Sequence, residues 1–202
     1  MTSSAGPALL RLHHEFGDRI GFVTLYVREA HPGDRYPQPT TFEQKLRHAR
    51  DYQTRDAIPW PIAIDDVEGS LHRQLDPRPH AAYVMAADGR VVARVLWAND
   101  ERALRRALRA SLGGKDEQLE ITNHIVPMLS GTGCMYETWE AAGVHARTDV
   151  LREAPPVFVS GWLAHQLQPL GPLARGSAAM ALSVLGPVAA LWGWRAARRR
   201  AS

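Results

Sequence analysis

A glutamate and a histidine, two positions apart, follow an apolar run near the start of the chain. The run Ile20 to Val27 reads IGFVTLYV, and Glu29, His31 and Asp34 come after it around a Pro–Gly turn. In an extended segment, side chains two residues apart point to the same side. The Glu29 carboxylate can therefore orient the His31 imidazole, and we predict a general acid–base pair with Asp34 as a second orienting carboxylate.

A structural interpretation of the same residues stays open. Glu29 and Asp34 can instead act as caps, or form ion pairs with Arg28 and Arg35 on a surface loop, a common arrangement that contributes little energy. For an isolated Glu-x-His pair the structural interpretation would prevail. The position at a strand end brings the two interpretations closer to even, because ligands of α/β sheets bind beyond the carboxyl ends of strands.

Other titratable residues are weaker candidates. His13, His14 and His48 fall in predicted helices with no carboxylate at ligand spacing, so we expect exposed side chains and no metal site. The single cysteine, Cys134, excludes a disulfide within the chain and a Cys-x-x-Cys pair. We expect Cys134 to be a small buried apolar residue rather than a nucleophile, and we expect no cofactor.

The elements that must position Glu29 and His31 alternate between helix and strand. Periodicity and turn signals predict helices at 7–16, 41–56, 67–75 and 101–112, and strands at 20–27, 61–65, 81–86 and 91–97. Asp88–Gly89 is the expected hairpin turn, Thr40 or Thr41 the expected cap of the helix at 41–56, and Asp100 the expected cap of the helix at 101–112. This order predicts an α/β fold with a thioredoxin-like mixed sheet flanked by helices.

Further side-chain positions follow from the same patterns. In the helix at 41–56, we expect the buried side to carry Phe42, Leu46, Ala49 and Tyr52. The near-continuous apolar run at 20–27 predicts a strand covered on both faces. Trp60, between two prolines, is expected to pack at the start of the following strand.

The sequence divides into four segments. Residues 1–114 form the predicted thioredoxin-like domain, and residues 115–175 a helical extension with helices at 116–128 and 133–152. Residues 176–194 carry no charge and approach the roughly 20 residues that span a bilayer, so we predict a membrane-associated or transmembrane helix. Residues 195–202 are a basic tail. An Ala-rich soluble tail is the alternative to membrane association.

Charge argues against nucleic acid as a partner. The net charge is +3, and the excess lies at the C-terminus in Arg195, Arg198, Arg199 and Arg200. The remainder is close to neutral and offers no basic face. We expect a cytoplasmic protein, or one attached to a membrane through its C-terminal tail, whose partners are a small-molecule substrate or a thiol reductant.

Residues 7–112 resemble the iodothyronine deiodinases and their bacterial, peroxiredoxin-like relatives. The most specific part is Tyr26 to Asp34, YVREAHPGD, which is similar to the family pattern Tyr-Ile-x-Glu-Ala-His-Pro-x-Asp. The resemblance implies a thioredoxin fold and thiol or selenol redox chemistry, with Glu29 and His31 lining the site and delivering a proton. In such a fold, Pro79 is a candidate for the cis-proline beside the active site.

The sequence departs from this family at two places. A further histidine of the family, near the start of the next helix, is replaced here by Gln38 to Thr41, QPTT. The family's cysteine or selenocysteine precedes the first helix, where this chain has Thr2, Ser3 and Ser4.

Two expectations follow from the absent nucleophile. In the first, the protein is a deiodinase-like or peroxidase-like oxidoreductase whose nucleophile and first strand lie upstream of Met1. In the second, it is a non-catalytic, membrane-tethered interaction protein on a thioredoxin scaffold, with a partner contact between residues 116 and 152.

Overall fold

The chain folds as a mixed α/β protein. A computed structural model describes residues 2–29, 32–75, 80–114, 119–121, 124–183 and 185. These residues form eight helices and two small sheets, which confirms the predicted α/β class.

The helices and strands have the following bounds. The helices are α1 (Thr2–Phe16), α2 (Phe42–Arg55), α3 (Ser70–Leu75), α4 (Glu101–Leu112), α5 (Ile125–Ala142), α6 (Val144–Glu153), α7 (Pro155–Gln166) and α8 (172–183). The strands are β1 (Thr24–Tyr26), β2 (Ile62–Ile64), β3 (Ala82–Met85), β4 (Val91–Val95) and β5 (Leu119–Ile121).

The strands form two sheets rather than the single predicted sheet. β1 pairs with β2 in parallel, and α2 is the helical crossover between them. β3 and β4 form an antiparallel hairpin, and β5 adds to β4 in parallel. β1 is shorter than the predicted strand at 20–27, and Val23 within that run is 66% exposed. The expectation of a strand covered on both faces is therefore wrong.

The hairpin has the predicted glycine but a longer loop than predicted. Ala86 N donates to Arg90 O, and Gly89 N donates to Ala86 O at 3.0 Å, which closes a turn around Ala87 and Asp88. Gly89 has φ +87°, the left-handed value that completes a three-residue hairpin loop. The turn is thus wider than the two-residue form that an Asp–Gly pair favours.

Two apolar clusters hold the α/β unit together. One lies between α1, α4 and the β3–β4 hairpin, and the other contains Tyr52, Ile58 and Trp60. Leu9 and Phe22 contact both clusters and join them. Trp60 is buried in the cluster against which Ile62 of β2 packs, as expected for a residue at the start of that strand. Its indole N–H donates to Thr24 Oγ1 in β1 at 2.9 Å. The predicted caps are also confirmed, because Thr41 accepts from Gln44 N and Asp100 from Ala103 N.

The C-terminal half is built from packed helices. α5, α6 and α7 contact one another, and α5 also contacts α1. The predicted helix at 116–128 is wrong in its first half, because β5 lies there and α5 begins only at Ile125. The Ser-Gly-Thr-Gly sequence, expected to break a helix, lies inside α5, where Gly133 allows a close approach of α8.

The predicted transmembrane helix is wrong. Among the residues that the structure describes, no helix is both long enough and apolar enough to cross a membrane. The first part of the predicted span, in α8, packs against protein instead: Gly176 lies against the Leu129 carbonyl, and Ala179 is fully buried. The rest of the span, at 184 and 186–194, and the basic tail at 195–202 lie outside the described residues.

Candidate functional site

Three side chains with exchangeable protons meet where β1 ends. Tyr26 is the last residue of β1, Glu29 follows it, and His48 comes from the buried side of α2. The Tyr26 hydroxyl donates a hydrogen bond to Glu29 Oε1. His48 Nδ1 lies 3.4 Å from the same oxygen. The site therefore lies beyond the carboxyl end of a parallel strand, as expected for an α/β fold.

His48 is held in place by its surroundings. It is 8% exposed, and the edge of its ring meets the ring of Tyr36 at 88°, with 5.3 Å between the centroids. His48 Nδ1 is buried and does not reach hydrogen-bond alignment with Glu29. A modest rearrangement would complete that bond. The imidazole is thus placed to exchange a proton with the carboxylate.

Burial and Glu29 keep Tyr26 protonated. Burial, and then the hydrogen bond to Glu29, raise the pKa of Tyr26 far above its ordinary value. Tyr26 therefore acts as a permanent hydrogen-bond donor to Glu29. The Glu29 side chain is 21% exposed and that of His48 is 10% exposed, so Glu29 has the greater access to solvent of the two.

A buried lysine, Lys45, attaches the N-terminal part of α2 to the loop after β2. Lys45 is fully buried, and its ammonium donates to the carbonyl of Asp66 in the loop after β2. Burial lowers the pKa of Lys45, while the nearby carboxylates of Asp65 and Asp66 oppose this shift. Asp65 in turn accepts from the backbone N–H groups of Leu71 and His72. Lys45 and Asp65 thus fix α2 and α3 around the strand ends.

The structure places Asp34 against the start of α6. Its Oδ2 accepts from the His145 backbone N–H at 3.0 Å, and its Oδ1 pairs with His145 Nδ1. The backbone hydrogen bond from His145 is the main cause that holds the pKa of Asp34 below its ordinary value. This contact is a cap of α6, one of the two roles that the structural interpretation gives Asp34.

Two predicted residues cannot be placed. His31 and Pro79 lie outside the described residues. The pairing of Glu29 with His31 therefore stays a prediction. What the structure does bring together is Glu29 with Tyr26 and His48.

Sequence reasoning missed His48 and Lys45. His48 was expected to be exposed, and that expectation is wrong. A usable signal was present, because Lys45, His48, Ala49 and Tyr52 have the i, i+3, i+4, i+7 spacing of one helix face, and all four are buried. Phe42, expected on the buried side, is 48% exposed.

A second polar cluster lies among the C-terminal helices. Glu137 Oε1 accepts from Arg175 Nη1 at 2.7 Å and from Gln168 Nε2 at 2.9 Å, and His165 Nδ1 lies 3.4 Å away. Arg175 Nη2 also lies 3.8 Å from Cys134 Sγ. Burial raises the pKa of the Cys134 thiol despite this cation. Cys134 is therefore a half-buried thiol within a charged cluster and not part of the Tyr26–Glu29–His48 site.

Comparisons with family models, with curated proteins and with solved structures found no match to this chain. The resemblance carried by residues 26–34 therefore stays a resemblance. The fold and the site define a mixed α/β protein with an acid–base cluster at a strand end.

The arrangement can transfer protons but does not resemble a metal centre. No group of three or more His, Cys, Asp and Glu side chains within the described ranges is placed to hold a metal ion. Tyr26, Glu29 and His48 supply one fixed donor, one carboxylate and one imidazole. This set suits general acid–base catalysis.

Proposed function

We propose that the α/β unit is a thioredoxin-like oxidoreductase scaffold of the deiodinase or peroxiredoxin-like type, in which Glu29 is the proton-transferring group. The observation that carries this proposal is the contact of Glu29 Oε1 with both the Tyr26 hydroxyl and His48 Nδ1 at the end of β1. The order of elements, a parallel pair with a helical crossover followed by a hairpin and a closing helix, supports the thioredoxin-like scaffold.

The reacting sulfur or selenium in this proposal is not Cys134. Cys134 is the chain's single cysteine and belongs to the cluster around Arg175. The nucleophile is instead a thiol or selenol supplied to the site. Such a thiolate attacks one oxygen of a peroxide, the O–O bond breaks, and the leaving oxygen takes a proton from the Glu29–His48 pair. The sulfur becomes a sulfenic acid in this step, because it keeps the oxygen that it attacked. A second thiol then attacks the sulfenic sulfur, the S–S bond forms as the S–O bond breaks, and the oxygen leaves as water, so two thiols are oxidised to one disulfide for each peroxide reduced.

Each residue has one role in this scheme. Tyr26 donates to Glu29 and holds its carboxylate in one orientation. Glu29 transfers the proton, and His48 returns it from the buried side. Positioned acid–base groups contribute about 10²- to 10⁴-fold to rates. His31, if it lies on the same side as Glu29, would add a second imidazole.

The test is a thiol-dependent turnover assay of the full chain. Glutathione supplies the thiol, and cumene hydroperoxide, a disulfide and an iodinated phenol are offered in separate reactions. We expect acceleration over buffer with at least one of them, and a loss of about 100-fold in Glu29→Gln. Glu43→Gln, which removes an exposed carboxylate from the first turn of α2, is the matched control and should keep the parental rate.

Two outcomes would overturn the proposal. One is an absence of acceleration by the parent chain with all three substrates. The other is a rate for Glu29→Gln equal to that of Glu43→Gln. The first would favour the second candidate function below.

The exposed apolar side chains of the C-terminal helices favour a second candidate, a non-catalytic interaction module. Ile125, Met128 and Val144 are each more than half exposed, and Trp162 on α7 is 44% exposed. Where such side chains form one contiguous patch, they mark a protein interaction site. Sedimentation of the parent and of an Ile125→Ser, Val144→Ser variant tests this function, because self-association lost in the variant would support it.

A further inference from the structure

The loop that follows the candidate site lies on the junction between α5 and α6. Arg35 N donates to Ala142 O at 3.2 Å, at the last residue of α5. One residue earlier, Asp34 accepts from the His145 backbone N–H in the first turn of α6 and pairs with its ring. Backbone and side chain therefore attach the same loop to both helices.

Asp34 acts as the side-chain cap of α6. The residue before α6 is Gly143, which has no side chain to accept from the first free N–H groups. The Asp34 carboxylate takes this place although it lies 111 residues earlier in the chain. A carboxylate at a helix N-terminus is favoured by both hydrogen bonding and the helix dipole.

Two glycines make this close approach possible. A Cβ on Gly33 would lie 2.4 Å from the Ala142 carbonyl oxygen. A Cβ on Gly143 would lie 2.9 Å from Asp34 Oδ2, and Gly143 also has φ +116°, which side chains rarely adopt. The surfaces of the loop and of the junction therefore fit only with glycine at both positions.

The attached loop leads directly to His48. Gly33 N donates to Tyr36 O at 3.0 Å, so the turn that carries Asp34 also fixes Tyr36. The ring of Tyr36 meets the edge of the His48 ring. A continuous set of contacts thus runs from α6 through Asp34 and Tyr36 to the imidazole of the candidate site.

We propose that the contact of Asp34 with the start of α6 is a latch through which the C-terminal helices position Tyr36 against His48. Asp34 is then a positioning residue for the acid–base site and not one of its catalytic groups. The part of this inference that concerns turnover rests on the proposed function. The part that concerns the surroundings of His48 does not.

A cap with no link to the site makes a different prediction. If Asp34 only stabilises α6, its removal lowers stability and leaves the surroundings of His48 unchanged. The readout must therefore report on the His48 ring itself. NMR of the full chain with labelled histidine provides it, with the His48 resonances identified by their loss in His48→Gln.

The experiment compares five variants with the parent chain. Tyr36→Leu gives the reference spectrum for His48 without its ring neighbour. We expect Asp34→Ala and Gly143→Ala to shift the His48 ring resonances toward that reference, and Asp34→Asn, which keeps an acceptor for the His145 N–H, to shift them less. Gly114→Ala is the matched control, because Gly114 also has positive φ, +67°, but a Cβ there would meet nothing within 4 Å.

Circular dichroism first establishes that each variant is folded. The proposal is overturned if Asp34→Ala keeps its fold and leaves the His48 resonances at their parental positions. It is also overturned if Gly114→Ala shifts them as much as Gly143→Ala does.

Turnover with thiol and peroxide is measured on the same samples. We expect a loss of about tenfold in Asp34→Ala and no further loss when Tyr36→Leu is added, since both changes release the same contact. Shifted His48 resonances in a chain without turnover would uphold the latch and reject the proposed function. The two failures can therefore be told apart.

Discussion

The protein contains two glutamate–histidine pairs of the same separation in different surroundings. Glu29 Oε1 lies 3.4 Å from His48 Nδ1, and Glu137 Oε1 lies 3.4 Å from His165 Nδ1. The first pair is at the end of β1, and the second is among the C-terminal helices. The distance between carboxylate and imidazole therefore does not distinguish a site that transfers protons from one that stabilises the fold.

The two pairs differ in the third group that contacts the glutamate, Arg175 at Glu137 and Tyr26 at Glu29. Glu137 Oε1 accepts from the Arg175 guanidinium, which is fixed in charge, whereas Glu29 Oε1 accepts from the neutral Tyr26 hydroxyl. Burial opposes ionisation of Glu137, but its own backbone N–H, Arg175 and His165 together hold its pKa below the ordinary value. Glu137 is thus committed to an ion pair. Glu29 has no guanidinium within ion-pair distance among the described residues, so of the two glutamates it is the one that we propose as the proton-transferring group.

The largest expected effect comes from opening the helix crossing that brings Arg175 to Glu137. A Cβ on Gly133 would lie 2.0 Å from the Pro172 carbonyl oxygen, so Gly133→Ala must push α8 away from α5. We expect it to lower the free energy of unfolding by about 3 kcal/mol, because neither backbone can yield cheaply. Urea unfolding measures this change.

Gly131→Ala is the matched control for that substitution. Gly131 lies in the same helix, and a Cβ there meets nothing within 4 Å. The control should be neutral or more stable by up to about 1 kcal/mol, the helix propensity gain of alanine over glycine. Equal stabilities for the two variants would show that the crossing does not hold the Glu137 cluster together.

The next largest change in the free energy of unfolding is expected from removing the Arg175 guanidinium. Arg175 is 8% exposed, and Arg175→Met leaves Glu137 and its buried Oε2 without their charged partner. Loss of one member of a buried pair costs about 3–5 kcal/mol, and because Glu137 is 32% exposed we expect about 2 kcal/mol. Urea unfolding again provides the measurement.

Two further variants sharpen this prediction. Arg175→Met combined with Glu137→Leu should regain part of the loss, because the unpaired carboxylate is then removed. Arg11→Met, which breaks an exposed pair with Glu101, should change stability little. If Arg175→Met behaves like Arg11→Met, Glu137 is not committed to an ion pair and the contrast with Glu29 fails.

The ion pair at Glu137 should also give a pH signature. Its pKa in the folded state lies below the ordinary value of 4.5. The stabilisation from Glu137 is therefore fully present above about pH 4.5 and is lost as the pH falls toward the folded-state pKa. Glu137→Gln should be less stable than the parent at pH 7 by about 1 kcal/mol, with a difference that shrinks below pH 4.5. A difference that stays constant down to pH 3 would contradict this assignment.

The sequence predicted the elements of the α/β unit better than the side chains they bury. The helix and hairpin positions, both caps and the role of Trp60 follow from periodicity and turn chemistry, which act locally. The buried face of α2 did not follow, because helix periodicity places the apolar Phe42 and Leu46 on the core side and leaves the polar Lys45 and His48 outside it. Their burial depends on partners after β1 and β2, which helix periodicity does not reveal.

Long-range contacts explain the other differences. The contact of Asp34 with His145 joins residues 111 positions apart, and no local pattern indicates it. The strand predicted at 20–27 is reduced to β1, which among the described residues pairs with β2 alone, and Val23 just before β1 is exposed. The membrane span predicted at 176–194 rests on small, charge-free residues, which are compatible with contact to lipid. Gly176 and Ala179 instead pack inside the protein, against α5 and its neighbours.

The smallest effect is expected from substituting Cys134, and it tests which of the two regions carries the proposed redox chemistry. Cys134 contributes only a weak contact from its sulfur to Arg175, and burial raises the pKa of its thiol, so it is a poor nucleophile at neutral pH. Cys134→Ser should keep the parental rate of peroxide consumption with glutathione, while Glu29→Gln loses it. A large loss in Cys134→Ser would place the reacting sulfur among the C-terminal helices and move the redox site from Glu29 to the Glu137 cluster.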